Sequence, residues 1–124
     1  MKLTDLGLIL LSVALSASGQ LLLKLGASAP AMRQAIAGGG VAEKLFVLLG
    51  TPALVGGLAI YALSAMAWIV VLSKLDLSLA YPFVGLGFVV TFLIGVFVLG
   101  EPASAGRLAG TLLIAGGAVL VARG

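Results

Sequence analysis

Long runs of apolar residues alternate along the chain with short polar or glycine-rich stretches. Each run is about 20 residues long, which is the length that an α-helix needs to cross the hydrocarbon core of a bilayer. The runs predict four membrane-spanning helices at residues 6–25, 52–72, 79–99 and 104–122. None of them shows the strict alternation of a transmembrane β-strand. The pattern therefore predicts an all-α, polytopic membrane protein that forms a single domain over residues 1–124.

The longest polar stretch separates the first two spans and contains three successive glycines. At its end, residues 41–49 form a short, largely apolar segment that is followed by Gly50, Thr51 and Pro52. Such a triplet is typical of one helix ending and another beginning, because glycine ends helices, threonine caps them and proline suits the first helical position. We therefore expect a short interfacial helix at residues 41–49, ahead of the second span.

The composition excludes a water-soluble globular domain. Hydrophobic residues make up 62% of the 124 residues and charged residues 9%, whereas soluble domains carry about 25% charged residues. A domain of this size buries only about 60–70% of the surface that its unfolded chain exposes, so it could not hide so much apolar surface from water. Cysteine and histidine are absent. We therefore expect no disulfide, no zinc or haem site and no cofactor.

The N-terminal segment has some features of a signal peptide, since Lys2 precedes an apolar stretch and small residues occur at Ser16 to Ser18. Asp5, however, interrupts the positively charged region, and the apolar run continues to Leu25. These features favour a retained first span.

Positive charges are nearly balanced between the two ends of the predicted bundle. One end carries three and the other four: Lys2, Lys74 and Arg123 against Lys24, Arg33, Lys44 and Arg107. The positive-inside rule therefore predicts no orientation. Such a chain could insert both ways and pair as an antiparallel dimer, or it could depend on a partner. No basic run with interleaved aromatic residues occurs, so we expect no nucleic-acid partner.

A polar stripe runs along the first span through Ser12, Ser16, Gln20 and Lys24. Successive steps of four residues drift by about 40° around a helix, so these side chains lie on one slanted face. One interpretation is hydrogen bonding between helices, with the Lys24 ammonium reaching the interface. The other is the lining of a polar site, which Gln20 favours because an amide facing lipid is costly.

The second span carries a small, hydroxylic and aromatic face at Gly57, Tyr61, Ser64 and Trp68. This face could serve helix packing or could line a cavity. At the start of the third span, Tyr81 could be an interfacial anchor or a contact for a lipid headgroup.

Small residues recur at intervals of four in the last two spans. The series Gly87, Thr91 and Gly95 predicts a surface against which another helix packs closely. The step from Gly106 to Gly110 has the same spacing and makes the fourth span a candidate dimerisation helix.

The connection between the third and fourth spans carries Glu101, Ser104 and Arg107. In one interpretation, Ser104 or Glu101 caps the fourth helix and Glu101 pairs with Arg107. In the other, the Arg107 guanidinium binds an anion such as phosphate. Lys24 is predicted at the same membrane side, which would form a basic pocket for an anionic headgroup. No acidic residue lies inside a predicted span, whereas a cation exporter needs a buried carboxylate.

Three segments of the chain resemble the drug/metabolite transporter superfamily. They are Ser16–Lys24, Leu79–Pro82 and Gly100–Ser104, the last followed by Arg107 and Gly110. Within the superfamily the chain is similar to the short four-helix, EamA-like subunits that flip 4-amino-4-deoxy-L-arabinose-phosphoundecaprenol across the bacterial inner membrane. The resemblance covers nearly the whole chain.

The small multidrug resistance transporters are a sister group with a similar length and topology. Their first span bears a glutamate that binds cations and protons. When the chain is aligned on Gly19 and Lys24, Ser16 stands at that place, which argues against cation export. The resemblance instead implies a multi-pass flippase of the bacterial inner membrane that is not an enzyme and that moves a lipid-linked, phosphate-bearing sugar.

By the same resemblance five candidate substrate-binding residues match the family's motif positions: Gln20, Lys24, Tyr81, Glu101 and Arg107. The polar faces of the first two spans add Ser16, Ser64 and Trp68 to the candidate site. In this hypothesis the polyprenyl tail stays in lipid while the headgroup enters a polar groove. Lys24 and Arg107 neutralise the phosphate. Glu101 orients Arg107 or binds the cation of an aminosugar.

The remaining candidates would contact the sugar. Gln20, Ser16 and Ser64 would donate or accept hydrogen bonds, and Tyr81 and Trp68 would stack on the ring or mark the edge of the groove. The expected partners are the lipid substrate, membrane lipids and a second subunit, in a homodimer or a paralogous heterodimer. Two other functions stay open: proton-coupled export of a small cation or metabolite, and a membrane adaptor that stabilises a partner enzyme.

Overall fold

All four predicted spans form as helices. A computed structural model describes residues 2–124. Within this range the helices are α1 (Leu3–Ala27), α2 (Pro30–Gly38), α3 (Val41–Gly50), α4 (Pro52–Lys74), α5 (Leu77–Ala80), α6 (Val84–Phe97) and α7 (Ala105–Arg123), with a 3₁₀ turn at Tyr81–Phe83. The single domain over residues 1–124 stays a prediction, and Met1 lies outside the described residues.

Four helical segments are long and apolar enough to cross a membrane, namely Leu3–Ala27, Pro52–Lys74, Leu77–Phe97 and Ala105–Arg123. They confirm the all-α, four-span architecture and differ from the predicted bounds by at most three residues. The third span consists of α5, the 3₁₀ turn and α6. Because successive spans run in opposite directions, the described chain starts and ends at the same end of the bundle.

The connection between α1 and α4 contains two short helices rather than one. The expected helix at residues 41–49 is present as α3, and α2 was not predicted. Pro30 occupies the first turn of α2, where a missing N–H has no cost, and the alanines that follow favour helix. Thr51 does not cap α4 with its side chain as expected, because its hydroxyl donates to the Val47 carbonyl at 2.7 Å.

The closest packing in the bundle is between α1 and α4. Gly19 and Gly57 face each other there, and a Cβ atom on Gly57 would lie 3.0 Å from the Leu23 backbone nitrogen and 3.1 Å from the Gly19 oxygen. The buried Ser12 hydroxyl donates to the Ser64 carbonyl at 2.9 Å across the same interface. In lipid, where the hydrophobic effect does not hold helices together, such close approach and interhelical hydrogen bonding stabilise the pair.

Buried apolar side chains form a cluster at the end of the bundle that holds the termini. Ile9 and Val13 of α1 meet Val71 of α4 and Ala80 and Phe83 of the third span. This cluster joins three spans at that end of the bundle.

An ion pair lies at the same end. The Lys74 ammonium is 4.0 Å from the Asp5 carboxylate, which is nearly buried. The pair links the first turn of α1 to the last turn of α4.

The last span, α7, is the least covered by the rest of the described chain. It packs mainly on α6, where Gly85 lies against Ile114. A Cβ atom on Gly106 or Gly110 would meet nothing within 4 Å among residues 2–124. The role of this helix in dimerisation stays a prediction.

We predict that Gly57→Ala destabilises the bundle by about 1–3 kcal/mol, the usual effect of inserting a methyl group into a packed contact. The neighbouring substitution Gly56→Ala is the matched control, since its Cβ would meet only Leu22 Cδ1 at 3.9 Å. Thermal unfolding in detergent, followed by circular dichroism, measures the difference. Equal melting temperatures for the two variants would contradict the close α1–α4 contact.

Candidate functional site

A polar groove lies between α1, α4 and α6. It consists of two adjoining cavities, of about 500 and 240 Å³, that share Ser16, Tyr61, Val84 and Gly87 in their walls. Because the shared residues belong to all three helices, the cavities are neighbouring sections of one groove. We call the larger section, which contains Lys24 and Glu101, the charged chamber. The smaller section, which contains Trp68 and Tyr81, is the aromatic chamber.

The charged chamber contains four of the residues predicted from the sequence. Ser16, Gln20 and Lys24 line it from successive turns of α1, and Glu101 enters from the connection after α6. Gln20 and Lys24 are exposed, so this end of the groove reaches the surface of the described chain. The polar stripe of the first span therefore lines the charged chamber over these three turns. Ser12, nearer the other end, lines the aromatic chamber, and its hydroxyl donates to the Ser64 carbonyl.

An ion pair joins the two charged residues of this chamber. The Lys24 ammonium lies 3.7 Å from a Glu101 carboxylate oxygen, and the side chains are 54% and 40% exposed. The Glu101 backbone N–H donates to the Gly95 carbonyl at 2.8 Å. Gly100 makes the intervening turn with φ +69°, a left-handed conformation that glycine adopts without strain. The chain thus folds back over the end of α6 and brings the carboxylate to Lys24.

Arg107 lies outside both chambers, and the expectation that Glu101 orients or pairs with it is wrong. Its guanidinium Nη1 donates to the Pro102 carbonyl at 3.2 Å, and its side chain is exposed. The Arg107 backbone N–H donates to the Ser104 hydroxyl at 3.1 Å. Ser104 therefore caps α7, as one interpretation of the sequence predicted, and this leaves Glu101 free to fold towards α1.

The aromatic chamber contains the other predicted residues. Ser64 and Trp68 line it from α4, and Tyr81 lines it from the start of the third span. The Ser64 hydroxyl donates to the Tyr61 carbonyl one turn back at 2.6 Å, so it faces the chamber as an acceptor. Tyr81 is exposed at the rim, whereas Trp68 is partly buried against the apolar cluster.

Several lining residues were absent from the predicted site, among them Tyr61, Phe88 and Thr91. Tyr61 belongs to both chambers, and Phe88 and Thr91 line the charged chamber from α6. Tyr61 shared a predicted helix face with Ser64 and Trp68, which was the available signal. Thr91 stood in the small-residue series of the third span, and that series was assigned to helix packing.

Gly87, Thr91 and Gly95 all line the charged chamber. A Cβ atom on Gly87 would lie 3.6 Å from Val13 Cγ1 of α1, so Gly87 also faces a neighbouring helix, as the series predicted. With one ammonium, one carboxylate, several hydroxyls and apolar walls, the groove can hold a charged headgroup next to a lipid chain.

Curated proteins similar to this chain share one description. The chain is 41% identical over 66 residues to a Pseudomonas fluorescens protein named "Probable 4-amino-4-deoxy-L-arabinose-phosphoundecaprenol flippase subunit ArnE", a match that covers 52% of the chain and 58% of that protein. It is 40% identical over 75 residues to the corresponding ArnF subunit of Erwinia tasmaniensis, which covers 59% of each. These matches span less than two thirds of the relatives' length.

A longer match runs through nearly the whole chain. An ArnF subunit of Enterobacter sp. (strain 638) is 37% identical over 115 residues, which cover 90% of the chain and 89% of that protein. No family model matches the chain, and no solved structure matches it.

We predict that a single cysteine at position 91 is reached from water. The chain has no cysteine of its own, so Thr91→Cys introduces one thiol into the charged chamber. A charged methanethiosulfonate reagent reacts with the thiolate, which forms only where water enters. The matched control is Leu113→Cys on α7, whose side chain is 78% exposed but lies on an apolar helix surface. Labelling of Leu113→Cys at the same rate as Thr91→Cys, in protein reconstituted in lipid, would contradict a hydrated groove.

Proposed function

We propose a function from the premise that this chain belongs to the family of 4-amino-4-deoxy-L-arabinose-phosphoundecaprenol flippase subunits. The similarity that extends over nearly all of the chain shows this membership. In our proposal the chain is a transporter rather than an enzyme. It carries a polyprenyl-phosphate-linked sugar, or a similar anionic lipid, across the bacterial inner membrane.

One observation carries the proposal: a lysine ammonium at the open end of a cavity that is lined mainly by membrane-spanning helices. Lys24 belongs to a span long enough to cross the bilayer, yet it lines a cavity of about 500 Å³ together with Ser16 and Gln20. A charge at the bilayer centre costs roughly 2.5–17 kcal/mol, depending on the scale. A cavity with a fixed cation and hydroxyl groups lowers this cost for a phosphate while the lipid tail stays outside.

In this proposal different residues of the groove bind different parts of the headgroup. Lys24 binds the phosphate, and Gln20 and Ser16 form hydrogen bonds with it or with the sugar. Ser64 accepts a hydrogen bond in the aromatic chamber, where Trp68 stacks on the sugar. We place Tyr81 at the rim, where the headgroup enters or leaves that chamber.

Arg107 takes no part in this site, because it lies outside the groove and its guanidinium binds the Pro102 carbonyl. Ser16 supports the flippase over cation export. It lines the centre of the groove, at the place where the first span of small multidrug resistance transporters bears a glutamate.

The proposal includes a second subunit. The relatives are named as ArnE and ArnF subunits of a flippase, and α7 offers a largely uncovered surface in the described chain. A paralogous partner that covers this surface would complete the wall of the transporter. A flipping assay carried out with and without a paralogue from the same genome decides whether transport needs that second subunit.

We predict that Lys24→Gln slows flipping by about tenfold or more, because a hydrogen bond to a charged group contributes about 1.5–3 kcal/mol. Proteoliposomes that contain a short-chain fluorescent polyprenyl-phosphate sugar measure the rate at which the outer-leaflet fraction changes. The matched control is Arg33→Gln, which removes an exposed positive charge of α2 outside the groove.

Three outcomes would contradict the proposal. Equal flipping rates for the wild type and Lys24→Gln would show that the Lys24 ammonium is not needed for transport. Cation uptake driven by a pH gradient, without lipid flipping by folded protein, would indicate the exporter instead. A chain that moves neither substrate but copurifies with an enzyme would be the membrane adaptor.

A further inference from the structure

The backbone around Glu101 determines the position of its carboxylate. The left-handed turn at Gly100 and the hydrogen bond from the Glu101 N–H to the Gly95 carbonyl fold the chain back onto α6. A Cβ atom on Gly95 would lie 2.5 Å from Glu101 Oε1, so a larger residue there would make the carboxylate shift. Gly95 thus forms a notch that holds the carboxylate beside Lys24.

Neither helix capping nor stability accounts for this arrangement. Ser104 caps α7, so the helix does not need the carboxylate at its N-terminus. Both partners of the ion pair are about half exposed, and exposed pairs contribute little to the free energy of unfolding. The carboxylate nevertheless lies where a phosphate would have to bind, within 4 Å of the ammonium that our proposed function assigns to the phosphate.

We propose that Glu101 is a specificity-determining residue. In the empty site its carboxylate pairs with the Lys24 ammonium. When the phosphate of a headgroup displaces the carboxylate from Lys24, the carboxylate binds an ammonium group of the same headgroup. The inference rests on the proposed function. In the empty groove the two charges neutralise each other. When a headgroup with both a phosphate and an ammonium group binds, Lys24 pairs with the phosphate and Glu101 pairs with the ammonium group, so no charge is left unpaired.

A headgroup that has the phosphate but lacks the amine should bind less tightly. Its phosphate takes Lys24 and leaves the Glu101 carboxylate without a cation in the chamber. Among the residues that line this chamber, Lys24 is the only positively charged one. The site therefore selects zwitterionic headgroups over purely anionic ones.

The test uses two lipid probes that differ only in the amine: farnesyl phosphoethanolamine and the farnesyl phosphodiester of ethylene glycol. Binding to the purified full-length chain in detergent is followed by the fluorescence of Trp68, the single tryptophan, which lies in the adjoining chamber. We expect the wild type to bind the amine-bearing probe about two- to fivefold more tightly, the range that one exposed ion pair supports.

In Glu101→Gln this preference should vanish, and the amine-free probe should bind more tightly than it does to the wild type, because its competitor is gone. Gly95→Ala should act in the same direction by pushing the carboxylate out of its notch. It should add nothing in the Glu101→Gln background, where no carboxylate remains. Gly56→Ala, a control with open space for its methyl group, should keep the wild-type preference.

The outcomes separate this inference from the proposed function. If the wild type binds both probes, Lys24→Gln loses them and Glu101→Gln keeps the wild-type preference, the specificity role is overturned and the phosphate site stands. If Glu101→Gln weakens binding of the amine-free probe, the carboxylate supports the site instead of competing for it, and the inference fails. If neither probe binds to folded wild type, both the inference and the phosphate site are overturned.

Discussion

The contact between the backbones of α1 and α4 is the constraint on which the rest of the bundle depends. Gly19 and Gly57 let the two helices approach until an added Cβ atom would touch the opposite main chain. The buried hydrogen bond from Ser12 to the Ser64 carbonyl fixes the register of the pair. Once this register is set, Ser16 and Tyr61 both lie where the two chambers adjoin. The third span contacts α1 less extensively and stands away from the pair, and this separation creates the groove.

The two ends of the groove differ in a way that suits a lipid carrier. Apolar side chains from three spans, Phe83 among them, pack together at the end that holds the termini. The other end carries the Lys24–Glu101 ion pair at the surface. Charges placed at one end of a membrane cavity give an anionic headgroup a binding position there. Beyond it the walls become aromatic and hydroxylic, which suits the sugar contacts that our proposal assigns to Trp68 and Ser64.

The uncovered surface of α7 explains why one chain makes an incomplete transporter in our proposal. A span that packs mainly on one neighbour leaves most of its circumference to lipid or to another subunit. Its glycines Gly106 and Gly110 present bare backbone on that surface, which is the kind of surface on which membrane helices associate. The groove and the subunit contact can then occupy different sides of the molecule, since α7 does not line the two chambers described here.

The sequence by itself determined the number and approximate bounds of the spans, because the length of an apolar run reflects the thickness of the membrane. It also determined which residues share a helix face, and Ser16, Gln20 and Lys24 indeed line one cavity. Only the tertiary structure decided what each face meets. Gly87 and Gly95 line a cavity although their spacing suits helix packing equally well, and Glu101 pairs with Lys24 although Arg107 is nearer in sequence. Helical periodicity fixes the direction of a side chain on its own helix, but its neighbours depend on how closely other helices approach and where the connecting turns lead.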